Sequence, residues 1–239
     1  TEEQLSKSTK QAIRTARNKG VEVVFGGPEL LDEFAALMKK TEARKGIHLR
    51  GKDYYEKLLT TYAGQSYITL SRINLSQRLT SLENQLEKNL LEVSRFNEKT
   101  KPGKIDNNRQ EKERLEEEIQ FLKQALDAGK ETVSLSGTLT LEYGGTSENV
   151  YAGMDENFRR YQPAILTWYE TAQHAFDRGA DWQNMGGIEN DLDGGLYHFK
   201  SKFNPMIEEF VGEFNLPTSL LYPLVNKAYQ LRKKLRNKQ

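Results

Sequence analysis

The chain has 239 residues with 35 basic and 34 acidic side chains, a net charge of +1, no cysteine and a mean hydropathy of −0.75. So even a balance excludes a protein that binds nucleic acid through its global charge and leaves only local patches to consider. The lack of cysteine excludes disulfides, a thiol nucleophile and a cysteine-ligated metal, and fits a reducing compartment. No apolar run approaches the roughly 18 residues that span a bilayer and no signal peptide is visible, so a soluble, cytoplasmic chain is expected.

Residues 4–19 read as a helix with Leu5, Ile13 and Ala16 on one side and Gly20 as its stop. The chain opens on Thr1 with this helix already under way, which predicts that its natural start lies upstream. VEVVF (21–25) reads as a strand. Pro28 opens a helix in which Leu30, Leu31, Phe34, Leu37 and Met38 recur at helical spacing. DYYEKLLTTYA (53–63) is a second amphipathic helix, and SYITLSRIN (66–74) a second strand.

The next segment differs in kind. Leu75, Leu79, Leu82, Leu86, Val93 and Phe96 are spaced 4, 3, 4, 7 and 3, a heptad seam with Asn89 at one seam position. KTKPGKID (99–106) breaks the helix, and Leu115, Ile119, Leu122 and Leu126 resume the spacing up to Gly129. Two such helices predict an antiparallel hairpin, each arm reaching roughly 35–40 Å and projecting into water. The alternative is a plain helix pair inside the core. An insertion of this kind costs little loop entropy when its two ends stay close.

Beyond it, GTLTLEY (137–143) and NVYAGM (149–154) alternate like strands about a Gly-Gly turn. Residues 157–179 read as one long helix, DWQNMGGI (181–188) and FVGEFNL (210–216) as strands, and the chain from Ser219 as a last helix. Strands on both sides of the hairpin make the expected class α/β (α+β).

Little catalytic chemistry can be assigned from spacing. His48, His174 and His198 form no metal motif, and Glu189, Asp191 and Asp193 lack the calcium-loop pattern, so no metal and no cofactor are expected. GGIENDLDGG is neither a Walker loop nor GxGxxG. With no Ser-His-Asp or Cys-His set, an acyl transfer is left with direct attack by the acceptor and no covalent enzyme intermediate. Such a site needs aligned substrates and a positive or hydrogen-bonding group at the developing oxyanion. A lysine among aromatic residues suits that need. The acid-free basic tail (Lys227, Arg232, Lys233, Lys234, Arg236, Lys238) reads as a solvated helix or as a nucleic-acid footprint.

The stretches TKQAIRTARNKGVEV, TEARKGIHLRGKDYYEKL, VYAGM, YQPAILTWYETAQHAFDRGADWQNMGGIE, GLYHFKSKF and FVGEFNLP resemble the Fem family of peptidyltransferases (FemA-, FemX-, MurM- and MurN-like proteins) along essentially the whole chain. The likeness is to the later part of the family's usual length. It implies a GNAT-like acyltransferase domain (21–74 and 130–239) with an inserted antiparallel coiled-coil arm (75–129). Residues 1–20 would be the exit helix of a first GNAT-like domain that is otherwise lacking. The arm is similar to the tRNA-binding arm of seryl-tRNA synthetase.

The resemblance implies transfer of Ala, Ser or Gly from aminoacyl-tRNA to the stem-peptide lysine of lipid II or UDP-MurNAc-pentapeptide. This builds the peptidoglycan interpeptide bridge and in some members supports β-lactam resistance. A sister Fem-type protein and peripheral contact with the inner membrane face are further implied partners. Phe199-Lys200 match the family's Phe-Lys pair beside the reaction channel, with Glu213 orienting the lysine and Lys202 as the alternative. Arg50 and Tyr54 match an Arg-x-x-x-Tyr pair on the nucleotide-sugar pyrophosphate, and Tyr151 a further precursor-site tyrosine; plain packing is the other reading of both tyrosines. The alternative function is a tRNA- or protein-binding module with no chemistry of its own.

Overall fold

The insertion leaves and re-enters the sheet at one point. Asn74, the last residue of strand β2 (Ser66–Asn74), is the register partner of Thr132, the first of strand β3 (Thr132–Tyr143). Between them lie helices α4 (Leu75–Val93) and α5 (Pro102–Asp127). The Leu75 amide donates to the Glu131 carbonyl at 2.8 Å, closing the base. Fifty-odd residues are therefore added at a junction that the β2–β3 pairing already holds shut.

The structure is a computed structural model that describes residues 4–188, 192–209, 211, 212, 214 and 216–236. Residues 1–205 form one compact unit and 206–239 a second. Among the described residues of the first, five strands run in the order β1 (Val21–Gly26), β2, β3, β4 (Thr146–Met154), β5 (Trp182–Asn184). The first four are antiparallel in sequence and β5 is parallel to β4. The β3–β4 turn is Gly144-Gly145, both with positive φ (56° and 77°), where a side chain would be strained.

Both faces of this sheet are covered, which is why β2 is buried along nearly its whole length. One face packs under α2 (Leu31–Lys45) and α3 (Lys52–Thr61), with Phe34, Leu37, Tyr55, Ile68, Leu70 and Leu139 as its core. The other packs under α1 (Lys7–Asn18), α6 (Pro163–Asp177) and the base of the helix pair, with Ile13, Ile73, Leu82, Leu122 and Tyr161 among its buried residues. Capping follows the sequence: Ser6 accepts from the Thr9 amide at 3.2 Å, and Gly46 ends α2 in the left-handed region.

The helix pair is not simply a projection. Leu75, Leu82, Leu115 and Leu122 are at most 1% exposed and belong to the core of the sheet, so the proximal half is part of the domain. Farther out, the Asn89 side chain donates to the Asn108 carbonyl at 3.1 Å, and Lys104 meets Glu92 at 2.8 Å, as antiparallel neighbours do. The seam is shorter than expected, because α4 stops at Val93, which is exposed. Pro102, read above as a breaker, starts α5 instead, since proline at a first helical turn loses no hydrogen bond.

Other expectations are corrected similarly. The long helix at 157–179 is a 3-10 segment (Glu156–Tyr161), then Gln162 at φ 54°, then α6. Pro163 disfavours helical geometry at the residue before it. The strand at 181–188 is only β5, because Gly186 turns at φ 74°. GLYHFK is a short helix, α7 (Gly195–Lys200), followed by a 3-10 turn (Ser201–Phe203). In the second unit, α8 spans Tyr222–Arg236. The described residues of 210–216 carry no strand, and Phe210, Glu213 and Asn215 lie outside the described residues.

Candidate functional site

Arg50 lies in the link between α2 and α3, Tyr54 in the first turn of α3, and Tyr151 on β4. The fold brings the three together. The Arg50 guanidinium lies 5.1 Å from the centre of the Tyr54 ring, and that ring meets Tyr151 edge-on at 6.2 Å. Tyr55 meets Tyr151 edge-on from beneath at 5.1 Å and Phe34 at 5.3 Å. Tyr54 is 40% exposed and Tyr55 1%, because consecutive helical residues point about 100° apart. Tyr54 thus offers a face to solvent, while Tyr55 is the packed support.

Burial raises the Tyr151 phenol above its ordinary range and the neighbouring Tyr54 adds to this. Burial, then Tyr151 and Glu42, push Tyr55 up to about 12. Both phenols stay protonated at neutral pH and can donate hydrogen bonds. Glu42 holds the link that presents Arg50, accepting from the Leu49 amide at 3.2 Å and meeting His48 Nδ1 at 2.8 Å.

Lys200 ends α7 and is 7% exposed. Its ammonium donates to the carbonyls of Gly186 and Gly187 at 2.9 and 2.7 Å. The two carbonyls fix the ammonium in place. Gly186 is needed for its backbone rather than for room: a β-carbon there would lie 3.6 Å from Lys200 Nζ, an ordinary contact, but φ is 74°. Asn184 Oδ1 accepts from the Gly186 amide at 2.8 Å and steadies the turn. Phe199 packs edge-on against Trp168 of α6 at 5.3 Å and Phe203 at 5.7 Å. Lys202 is exposed, and its carbonyl accepts from Thr9 Oγ1 at 2.7 Å. Glu213 lies outside the described residues, as do Glu189 and Asp191. Among the described residues no group of three or more His, Asp or Glu is arranged to hold a metal.

The two clusters rest on different cores: Tyr151 packs with the α2/α3 face and Phe199 with the α6 face. Strand register relates them. β5 pairs with β4 only at Thr146, Ser147 and Glu148, and β4 then continues beside β3 alone. Tyr151 and Gly187 each lie three positions beyond the last pair, Glu148–Asn184. Because the strands are parallel, the tyrosine cluster and the lysine loop leave the same end of the β4–β5 pair.

Trp168, Glu42 and the carbonyls of Gly186 and Gly187 were not legible as site elements in the sequence. Trp168 sits in an ordinary amphipathic helix, and a carbonyl carries no signature. The density of glycines at 186–195 was the available signal.

The FemAB family model matches residues 1–233. Aminoacyltransferase FemB of Staphylococcus epidermidis is 29% identical over 240 aligned residues, which cover 95% of this chain and 57% of that protein. Lipid II:glycine glycyltransferase of Staphylococcus haemolyticus is 24% identical, covering 92% of this chain and 54% of that protein. The chain thus spans just over half the length of the curated relatives it matches. The crystal structure of FemX superposes with a TM-score of 0.59 at 22% identity, over 84% of this chain and 53% of that one, which is a likeness of fold. No described helix is long and apolar enough to cross a membrane. With a family match along almost its whole length, the chain belongs to the FemAB family.

Proposed function

We propose that the chain is part of a Fem-type aminoacyltransferase, moving Ala, Ser or Gly from aminoacyl-tRNA to the stem-peptide lysine of lipid II or UDP-MurNAc-pentapeptide. Family membership supports the reaction class, and so do relatives named aminoacyltransferase and glycyltransferase. The observation that carries the acceptor-site reading is the meeting of Arg50, Tyr54 and Tyr151 from three separate elements. A guanidinium with two phenol donors is a donor set that suits a pyrophosphate.

In this reading residues 21–74 and 130–239 are a GNAT-like acyltransferase domain, residues 1–20 lead into it from another, and 75–129 act as a coiled-coil arm. The stem-peptide amine attacks the ester carbonyl of the aminoacyl-tRNA. The new C–N bond forms, the C–O bond to the tRNA ribose breaks, and the amine's proton leaves with the ribose oxygen. Lys200, with Phe199 walling it from water and Glu213 orienting it, supplies positive charge at the tetrahedral oxyanion or the tRNA 3′ end. A water-poor setting strengthens that field. A binding module without chemistry is the second reading, favoured if the precursor binds and no transfer follows.

The test is transfer of labelled Ala, Ser and Gly from charged tRNA to lysine-containing lipid II and UDP-MurNAc-pentapeptide, with Lys200→Ala alongside. Transfer that falls at least a hundredfold in Lys200→Ala is expected, a loss typical of one removed oxyanion donor at roughly 10²–10³. Unchanged transfer in Lys200→Ala would remove that residue from the mechanism. No transfer from any donor would refute the transferase reading for this chain.

A further inference from the structure

Charge is segregated along the α4–α5 pair. Residues 88–104, the distal end, hold five cations and two acids, whereas 75–87 and 105–127 hold five cations and nine acids. The five are Lys88, Arg95, Lys99, Lys101 and Lys104, and all of them border one cavity of about 650 Å³ between the end of α4 and the start of α5. Lys104 is paired with Glu92 at 2.8 Å. Among the described residues the other four form no ion pair within 4 Å, and although Glu92 also borders the cavity and interacts with Arg95, cations outnumber acids there, which is unfavourable without a further anionic partner. Beside them the distal end exposes aliphatic side chains: Leu90, Leu91 and Val93 on α4 and Ile105 on α5 are each 44–53% exposed.

The cations call for a phosphate-bearing partner, and the aliphatic side chains select its class. A nucleic acid offers apolar contact mainly through base faces, which stack on open aromatic rings. The single ring in this stretch, Phe96, is partly covered, with Lys104 Nζ 5.4 Å from its centre. A bilayer surface uses both features at once. Leu, Val and Ile side chains enter the headgroup–acyl boundary while Lys and Arg stay with the lipid phosphates. We propose that the distal end of the α4–α5 pair, with Lys88, Arg95, Lys99 and Lys101 around exposed Leu90, Leu91, Val93 and Ile105, docks on an anionic phospholipid surface. This contact needs no substrate, so it stands or falls separately from the transferase reading.

The experiment is co-sedimentation of the 239-residue chain with phosphatidylcholine vesicles, with and without phosphatidylglycerol, and with a tRNA transcript as a separate probe. Binding is expected only to the vesicles containing phosphatidylglycerol and should weaken as salt rises. Lys99→Ala/Lys101→Ala should weaken it about 25-fold, about fivefold for each cation removed. Leu90→Ser/Leu91→Ser should weaken it with the charges intact. Far-UV circular dichroism checks folding, and Lys88→Ala/Arg95→Ala carries the same expectation if the first pair misfolds. A charge-variant loss of fivefold or more supports the proposal. It is overturned by equal binding to both vesicle types or to neither, or by a loss smaller than fivefold. It is also overturned by a loss that follows Lys227→Ala/Arg232→Ala on α8 instead of the distal pair, or by tip-dependent binding of the transcript without vesicle binding.

Discussion

Arg78 of α4 holds Glu118 of α5 through two hydrogen bonds to one carboxylate oxygen, Nε at 3.1 Å and Nη2 at 2.8 Å, and the side chains are only 5% and 1% exposed. The other oxygen meets Arg114 at 3.1 Å and Lys19, just past α1, at 3.6 Å. One buried carboxylate thus ties both inserted helices to the first helix of the domain. Removing Glu118 leaves Arg78 a buried charge without its carboxylate, and removing Arg78 leaves Glu118, among the described residues, with just its Arg114 and Lys19 ion pairs. Arg78→Met or Glu118→Leu alone is expected to cost about 3–5 kcal/mol in urea unfolding, whereas the double replacement is expected to be near neutral or stabilising. Equal losses in single and double variants would show that the pair is not the source.

Glu118 and His174 titrate in separate windows. Burial pushes Glu118 up, but the Arg78 hydrogen bond and the Lys19 and Arg78 charges outweigh it and leave its carboxyl below the ordinary range. Its contribution is therefore present above the unfolded value of about 4.3 and is lost as pH falls below that. His174 stacks on Phe25 at 4.1 Å and meets Tyr67 edge-on at 5.0 Å; burial, then the Arg178 charge, lowers its pKa. The fold favours neutral His174, so its contribution is complete above about 6.5 and declines as pH falls through the lowered value. The urea midpoint should drop between pH 7.5 and 5, and His174→Gln should flatten this part of the curve while leaving the drop at lower pH.

Gly153 of β4 has no room for a side chain. A β-carbon there would lie 3.0 Å from the Leu37 carbonyl carbon and 3.0 Å from Met38 Sδ. The nearby strand end is pinned to α2, with the Met154 amide donating to Thr41 Oγ1 at 3.1 Å and Asp155 paired with Lys40. Gly153→Ala should cost about 1–3 kcal/mol by overpacking. It should also weaken precursor binding, because Tyr151 shares that strand. Calorimetry of UDP-MurNAc-pentapeptide binding checks the second point.

At the proposed acceptor site, Arg50→Ala is expected to weaken UDP-MurNAc-pentapeptide binding by about tenfold or more, the scale of a lost charged hydrogen bond. Arg50→Lys should not restore it, because an ammonium lacks the planar fork. Tyr151→Phe should weaken binding while leaving the edge-on packing intact. If Tyr151→Phe binds normally, the phenol is packing only.

Much of this was legible in the residues. Helical spacing located α1, α2, α3 and the inserted pair, but Arg50 precedes α3, so it meets Tyr54 from the α2–α3 link and not along one helix face. Asn89 stood out as a polar residue in an apolar seam, and it meets Asn108 there. Element ends were less legible. Pro102 and Pro163 both punctuate helices, and spacing alone does not say that each begins one.

By itself the sequence determined most of the helices and strands, their order and the family, because propensity, periodicity and motif are properties of neighbouring residues. The tertiary structure alone decided that Tyr151 joins Arg50 and Tyr54 and that Lys200 closes on Gly186 and Gly187. It also decided that half of an apparently projecting helix pair is domain core. These are contacts between residues far apart in the chain, set by strand register and by which face of the sheet each helix covers. No local pattern encodes that choice, since it follows from burying all the apolar faces at once.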